Sequence, residues 1–96
     1  MQPPPLPVPL EGALLQNYPN PFNPATTISF TIPVPAQVTL RVLDLLGREV
    51  DLLLAGHLPA GAYTRQWNAV VIPGGVYYCQ LQAGAFRLTR KMVLLK

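Results

Sequence analysis

The sequence has little of what catalytic and metal sites need, because its 96 residues include one cysteine, Cys79, and one histidine, His57. A single residue of each kind cannot build a zinc site, and a catalytic nucleophile needs a base beside it. Cys79 falls in a predicted core strand, whereas His57 falls in a predicted turn before Pro59. We therefore predict no catalytic residue, no metal site, no cofactor and no enzyme activity.

Charged residues are also scarce, at 11% of the chain, against roughly 25% in a typical soluble domain. Residues 52–96 contain five cations and no acid. A basic segment can indicate nucleic-acid binding, but seven cations without a recognised nucleic-acid motif are a weak signal. We expect no nucleic-acid partner. The low charge content instead indicates that some apolar surface meets another molecule.

Long apolar runs are missing as well. No stretch approaches the ~18 apolar residues of a membrane helix, so no membrane-spanning segment is predicted. Residues 2–9 lack the basic start and apolar run of a signal peptide. Residues 1–9 hold five of the twelve prolines and are predicted to form an extended, Pro-rich linker. Residues 10–96 are then left as one folded domain.

Proline and glycine interrupt this domain every ~10 residues, which argues against helices. Between the interruptions apolar and polar residues alternate, so that Ile28, Phe30 and Ile32 share one face of a strand. A first strand is predicted near Ala13–Tyr18, and the others are predicted at Thr26–Ile32, Gln37–Leu43, Glu49–Ala55, Ala62–Asn68, Val76–Ala83 and Phe86–Leu95. About seven short strands predict an all-β fold, an immunoglobulin-like antiparallel β-sandwich.

Two local patterns support this fold. Asp44-Leu45-Leu46-Gly47 fits a type I turn in which the Asp side chain accepts backbone N–H groups and Gly47 takes a positive φ. Such a turn joins two hairpin strands through a bulge. The Tyr77-x-Cys79 spacing fits a tyrosine corner, in which the hydroxyl bonds to nearby backbone. Cys79 alternates with Tyr77 and Leu81, so we expect a buried, inert thiol.

Three stretches of the chain resemble one known family. The first is the N-terminal motif, which consists of Asn17, Tyr18, Pro19, Asn20, Pro21, Phe22, Asn23 and Pro24 and continues to Ile28. The second runs from Val42 to Val50, and the third runs from Gly61 through Trp67 and Gly75 to Lys96. Together they resemble the type A C-terminal sorting domain of the type IX (Por) secretion system, over about residues 14–96.

The resemblance implies a C-terminal secretion and sorting signal. An upstream parent domain, often a glycanase or a protease, crosses the inner membrane by a separate signal. The sorting domain then directs the parent from the periplasm through the outer-membrane translocon to the cell surface or the extracellular space. A surface sortase commonly removes such a domain and attaches the parent to the cell surface. These domains occur in Bacteroidetes and related phyla.

The resemblance also implies which residues meet the translocon. Besides the N-terminal motif they are Gly75, Val76, Tyr77, Arg90, Lys91, Met92, Val93, Leu94, Leu95 and Lys96. In the last strand, Met92 and Leu94 fit the core face, whereas Val93 and Leu95 fall on the outward face with Lys91. We expect this outward stripe to add to a receptor's sheet edge or to enter a groove. The alternative is that both faces are covered within the domain.

The N-terminal motif is predicted to be a rigid crossover between strands. Its three prolines fix φ and cannot donate to a sheet. Asn20 and Asn23 are expected to bond to local backbone. The crossover explains these residue types without any partner, and contact with the export machinery would be an additional role.

Two other functions fit the sequence. One is a carbohydrate-binding module, and the other is a purely structural module like the immunoglobulin-like domain of flagellar hook-capping proteins, which the family also resembles. Trp67 and Tyr63 fall on a face predicted to be internal, and only Tyr78 is predicted to point outward. A single exposed tyrosine is a weak platform for a glycan, so we favour the sorting role.

Several positions depart from the family pattern. Asn68 stands where Asp is usual, Val70 and Val71 stand where Ser and Gly are usual, and Cys79 replaces an aromatic residue. Arg65 replaces a Val-like residue, which places a cation on the strand face shared by Tyr63 and Trp67.

Overall fold

The computed structural model describes residues 11–96, which form seven antiparallel strands in two sheets and contain no helix. The strands are β1 (Ala13–Leu14), β2 (Ala25–Ile32), β3 (Ala36–Leu43), β4 (Glu49–Leu58), β5 (Gly61–Asn68), β6 (Gly75–Ala83) and β7 (Phe86–Leu94). This architecture confirms the predicted all-β sandwich. In the described part of the chain no helix is long and apolar enough to span a membrane. The predicted linker at residues 1–9 lies outside the described residues.

One sheet has the strand order β1-β2-β5, and the other has the order β4-β3-β6-β7. In a constant-type immunoglobulin domain the fourth strand belongs to the sheet of the first, second and fifth strands. Here β4 pairs with β3 instead, so the chain changes sheets at Pro59-Ala60. As a result β4 and β5 are edge strands of different sheets. The indole N–H of Trp67 on β5 donates to Asp51 Oδ2 on β4 at 2.9 Å and connects these sheets.

Two strand lengths differ from the prediction by more than one residue. β1 has only two residues, and Tyr18 makes a single bridge to Thr27, because the prolines that follow it cannot donate to a ladder. β4 is longer than predicted and continues to Leu58. His57 therefore pairs with Gln37 within β4, and its predicted place in a turn is wrong. Pairing with β3 overrides the weak strand preference of Gly56.

The core follows from strand alternation. Val38, Leu40 and Val42 on β3 are all 0% exposed, and they belong to the same buried cluster as Ile28 and Phe30 of β2. Because successive side chains point to opposite faces of a strand, every second residue of these strands enters the space between the sheets.

The β3–β4 connection has the predicted turn. Asp44 Oδ1 accepts the N–H groups of Leu46 and Arg48, both at 2.9 Å, and Gly47 has a φ of 81°. The N–H of Arg48 is also the main reason why the pKa of Asp44 is lowered. The register of β3 against β4 shifts at Val42/Leu43, which is the bulge expected beside such a turn.

Tyr77 forms the predicted tyrosine corner, because its hydroxyl donates to the Pro73 carbonyl at 2.6 Å. Tyr63 makes the same bond to the Pro59 carbonyl, also four residues upstream. Burial raises the pKa of Tyr77, and the Asp44 carboxylate adds to this shift, so the hydroxyl keeps the proton that it donates. Each corner fixes the loop that leads into its strand.

We predict that Leu40→Ala lowers the free energy of unfolding by about 2–5 kcal/mol, because it removes a fully buried side chain and leaves a cavity. The matched control is Leu46→Ala in the β3–β4 turn, where the side chain is 76% exposed. Its effect should stay within about 0.5 kcal/mol. Urea unfolding followed by tryptophan fluorescence measures both, and equal losses would contradict the described core.

Candidate recognition site

The two ends of the described chain meet at the outer edge of β7. The N–H of Phe22 donates to the Val93 carbonyl at 3.0 Å, and the N–H of Leu95 donates to the Phe22 carbonyl at 2.9 Å. These bonds give Phe22 an isolated parallel bridge to Leu94. The segment from Gln16 to Phe22, called the strap below, thus covers the last residues of an edge strand.

Side chains of the strap extend this contact. The N–H of Val93 donates to Asn20 Oδ1 at 3.0 Å, and Gln16 Nε2 donates to the Lys91 carbonyl at 2.9 Å. Alternate residues of an antiparallel strand direct their N–H and C=O groups to the same side. The strap therefore pairs four outward backbone groups of the chain end, which are the Lys91 carbonyl, both groups of Val93 and the Leu95 N–H. The expectation that Asn20 and Asn23 bond to local backbone is wrong, because Asn20 accepts from the distant Val93 and the Asn23 side chain has no hydrogen bond within the described residues.

Phe22 anchors the strap in the core, where it is 2% exposed. Its ring centroid lies 5.6 Å from that of Trp67, which lies 5.8 Å from that of Tyr77. Tilted and edge-on arrangements of this kind are favourable for aromatic pairs. The three rings connect the strap with β5 and β6 inside the sandwich.

Buried polar groups hold the beginning of the strap. Asn17 Nδ2 donates to Thr26 Oγ1 at 3.0 Å and to the Pro19 carbonyl at 3.2 Å, and the Thr26 hydroxyl donates to the same carbonyl at 2.8 Å. Asn17 is 3% exposed and Thr26 is 1% exposed, so both side chains need these partners. This network fixes the crossover from β1 to β2.

The candidate residues at the end of the chain lie beside those at the start of β6. Leu94 pairs with Gly75, Val93 with Val76, and Met92 with Tyr77. The side chains of Tyr77, Met92 and Leu94 are buried. They cannot contact a partner directly and affect the surface only through their packing beneath it. The candidates of this group whose side chains are at least partly exposed are Val76, Arg90, Lys91, Val93, Leu95 and Lys96.

The predicted outward stripe is present at the end of β7 and continues to Leu95, one residue beyond the strand. Lys91 is exposed, Val93 is half-buried and Leu95 is 52% exposed. The strap nevertheless occupies the edge of the strand beside these residues. Addition of this part of β7 to a receptor's sheet would therefore require the strap to leave, whereas the outward face and the chain end are accessible as they stand.

The chain end also rests on the loop between β5 and β6. Lys96 Nζ donates to the Val70 carbonyl. A Cβ on Gly74 would lie 3.2 Å from the Leu94 carbonyl oxygen and 3.3 Å from the Lys96 nitrogen. Glycine thus permits the close approach of the loop to the last residues.

Tyr18 is the most exposed residue of the N-terminal motif that carries a large apolar side chain. Tyr18 is 81% exposed, whereas Tyr78, the predicted outward tyrosine, is half-buried. Alternation could not reveal this exposure, because Tyr18 makes only an isolated bridge outside the strands.

Cys79 has the environment of a structural thiol. It is 1% exposed, and burial raises its pKa to about 12. Within residues 11–96 no three side chains of His, Cys, Asp or Glu are grouped so that they could hold a metal ion.

Comparison with family models identifies one match, described as "Secretion system C-terminal sorting domain", over residues 16–95. The matched range includes the strap, strands β2 to β7 and all of the chain end except Lys96. Searches of curated proteins and of solved structures give no significant match.

We predict that Asn20→Ala lowers the free energy of unfolding by about 0.5–1.5 kcal/mol, since Val93 loses its acceptor. Asn23→Ala is the matched control, because Asn23 is exposed and its side chain has no hydrogen bond within the described residues. Urea unfolding of both variants measures the difference. If the two variants are equally stable, Asn20 does not hold the edge of β7.

Cys79 should react slowly with thiol reagents in the folded protein. The reactive form is the thiolate, and a pKa near 12 instead of 9.0 lowers its fraction roughly a thousandfold at mildly alkaline pH. Labelling kinetics in buffer and in urea test this, with the unfolded chain as the control. Equal rates in the two conditions would show that the thiol is accessible in the fold.

Proposed function

The chain belongs to the family of secretion system C-terminal sorting domains. We propose that the type IX outer-membrane translocon recognises it through the surface formed by the strap and residues 91–96, called the joined chain ends below. The family provides C-terminal sorting signals for type IX secretion. Membership links the chain to an upstream parent domain and to export toward the cell surface or the extracellular space.

The observation that carries the proposal is the hydrogen bonding between the strap and β7. It brings the N-terminal motif and the last six residues, which are 70 or so positions apart in the sequence, into one continuous surface. A receptor that binds one motif therefore also contacts the other. In this proposal the domain is a recognition signal with no catalytic role, and any catalytic activity belongs to the parent.

The surface of the joined ends offers apolar contact and positive charge. Val93 and Leu95 supply the apolar stripe, and Lys91 and Lys96 flank it. Within the described residues, neither lysine has a carboxylate at ion-pair distance. Complementary charges across an interface speed association and fix its register, so the proposed receptor presents acidic groups to these lysines.

Sortase cleavage and surface attachment of the parent belong to the same proposal. We place the cleavage upstream of β1, before Ala13. A cut there leaves the strap and both sheets intact. A cut within the strap would instead uncover the edge of β7.

The test is a fusion of the complete 96-residue chain to a periplasmic reporter in a host with a working type IX system. We predict surface display of the reporter, and a several-fold lower display for the double variant Lys91→Ala/Lys96→Ala. Antibody labelling of intact cells measures display. The variant should remain folded, because exposed charges contribute only about 0–1 kcal/mol to stability.

The control is Arg65→Ala/Arg87→Ala, which removes two cations that do not belong to the chain end. Loss of display in the lysine variant alone supports recognition at the joined ends. Equal display of all three chains would exclude a role for the lysines. A wild-type fusion that stays in the periplasm would contradict the sorting function itself.

A further inference from the structure

Three separate segments expose large apolar side chains at the end of the sandwich where β7 finishes. They are the turn between β3 and β4, the loop between β5 and β6, and the residues after β7. Their exposed side chains are Leu45 (67%), Leu46 (76%), Val70 (58%), Val71 (93%) and Leu95 (52%). These five residues are called the apolar tip below.

Contacts between the segments bring the apolar tip together. The bond from Lys96 Nζ to the Val70 carbonyl joins the chain end to the β5–β6 loop. A groove of about 300 Å³ lies between the β3–β4 turn, with Leu45 and Leu46, and the residues from Pro73 to Tyr77. The groove thus lies between the turn and the residues that end the loop and begin β6, and the chain end contacts the same loop.

The β3–β4 turn does not require apolar side chains at Leu45 and Leu46. The β3–β4 turn depends on the Asp44 carboxylate and on the positive φ of Gly47, and the leucines between them point into solvent. Single exposed apolar residues are common, but several of them grouped at one end of a domain indicate an interaction site. The apolar tip is therefore a surface for another molecule.

We propose that the apolar tip docks into an apolar recess with an acidic rim on the translocon, beside the contact made by the joined chain ends. This inference rests on the proposed function and identifies the chemistry of the partner. The groove has a volume at the lower end of small-molecule sites, which span about 300–1,000 Å³. It accepts a side chain of a protein partner, while Val71 and Leu46 project into the partner. A lipid surface offers no such side chain.

The charge at this end of the sandwich favours a partner whose recess is surrounded by acidic residues. Three acids lie in or after the β3–β4 turn. Asp44 is paired with Arg48 and Glu49 with Arg41, whereas the indole of Trp67, which donates to Asp51, is neutral and offsets no charge. Lys91 and Lys96 have no carboxylate at ion-pair distance within residues 11–96. The two lysines outnumber Asp51, so the unpaired side-chain charge at this end is positive.

The experiment uses the reporter fusion of the complete chain with Val71→Ser, and separately with Leu45→Ser/Leu46→Ser. The matched control is Val34→Ser, since Val34 is 60% exposed in the β2–β3 loop at the opposite end of the sandwich. We expect display to fall about tenfold for both tip variants, as hot-spot contacts are lost, and to stay normal for the control. Thermal melting should be unchanged in all three, because the substituted side chains are exposed.

The outcomes separate this inference from the sorting function. If the wild-type fusion is displayed and both tip variants are displayed equally well, the tip does not dock, although the domain still sorts. If the wild-type fusion is not displayed, the sorting function fails first. The purified wild-type chain is also tested by sedimentation and with phosphatidylglycerol vesicles. The wild-type chain could self-associate or bind vesicles, and the tip variants could lose this property while their display stays normal. That result would assign the tip to a second copy of the chain or to lipid, and it would overturn the inference.

Discussion

The hydrogen bonds between the strap and β7 are the constraint on which the recognition surface depends. An edge strand presents unpaired N–H and C=O groups that invite pairing with other chains. Here the carbonyls and amides at the end of β7 are paired by residues from the start of the domain, and Phe22 fixes that cover to the aromatic cluster around Trp67. The same contacts close the sandwich and place the two motifs of a sorting domain side by side.

The other sheet edges are protected by different means. β1 is two residues long, β4 has two register shifts against β3, and the edge strands β4 and β5 carry the charged residues Asp51 and Arg65. Short edges, bulges and charged side chains on edge strands all discourage edge-to-edge association. Because its sheet edges are protected, the domain has the outward faces of its sheets and its apolar tip left for contact with partners.

Much of the fold could be predicted because alternation is a local signal. Ile28, Phe30 and Ile32 reveal the buried face of β2 without any knowledge of their partners, and the Asp44–Gly47 turn is encoded in four consecutive residues. The joined ends could not be predicted in this way, since the bond between Asn20 and Val93 spans 73 residues. The predicted turn at His57 is wrong because no residue near it in the sequence reveals that Gln37 pairs with it. The exposure of Leu45 and Leu46 likewise depends on which segments surround them.

Amide hydrogen exchange at the outer edge of β7 tests the joined ends most directly. The N–H groups of Val93 and Leu95 have partners in the strap, whereas that of Thr89 points to the same side further along the strand and has no strap partner. If the strap covers the edge in solution, the amides of Val93 and Leu95 exchange far more slowly than that of Thr89. Equally fast exchange at all three would contradict a recognition surface built from both ends of the domain.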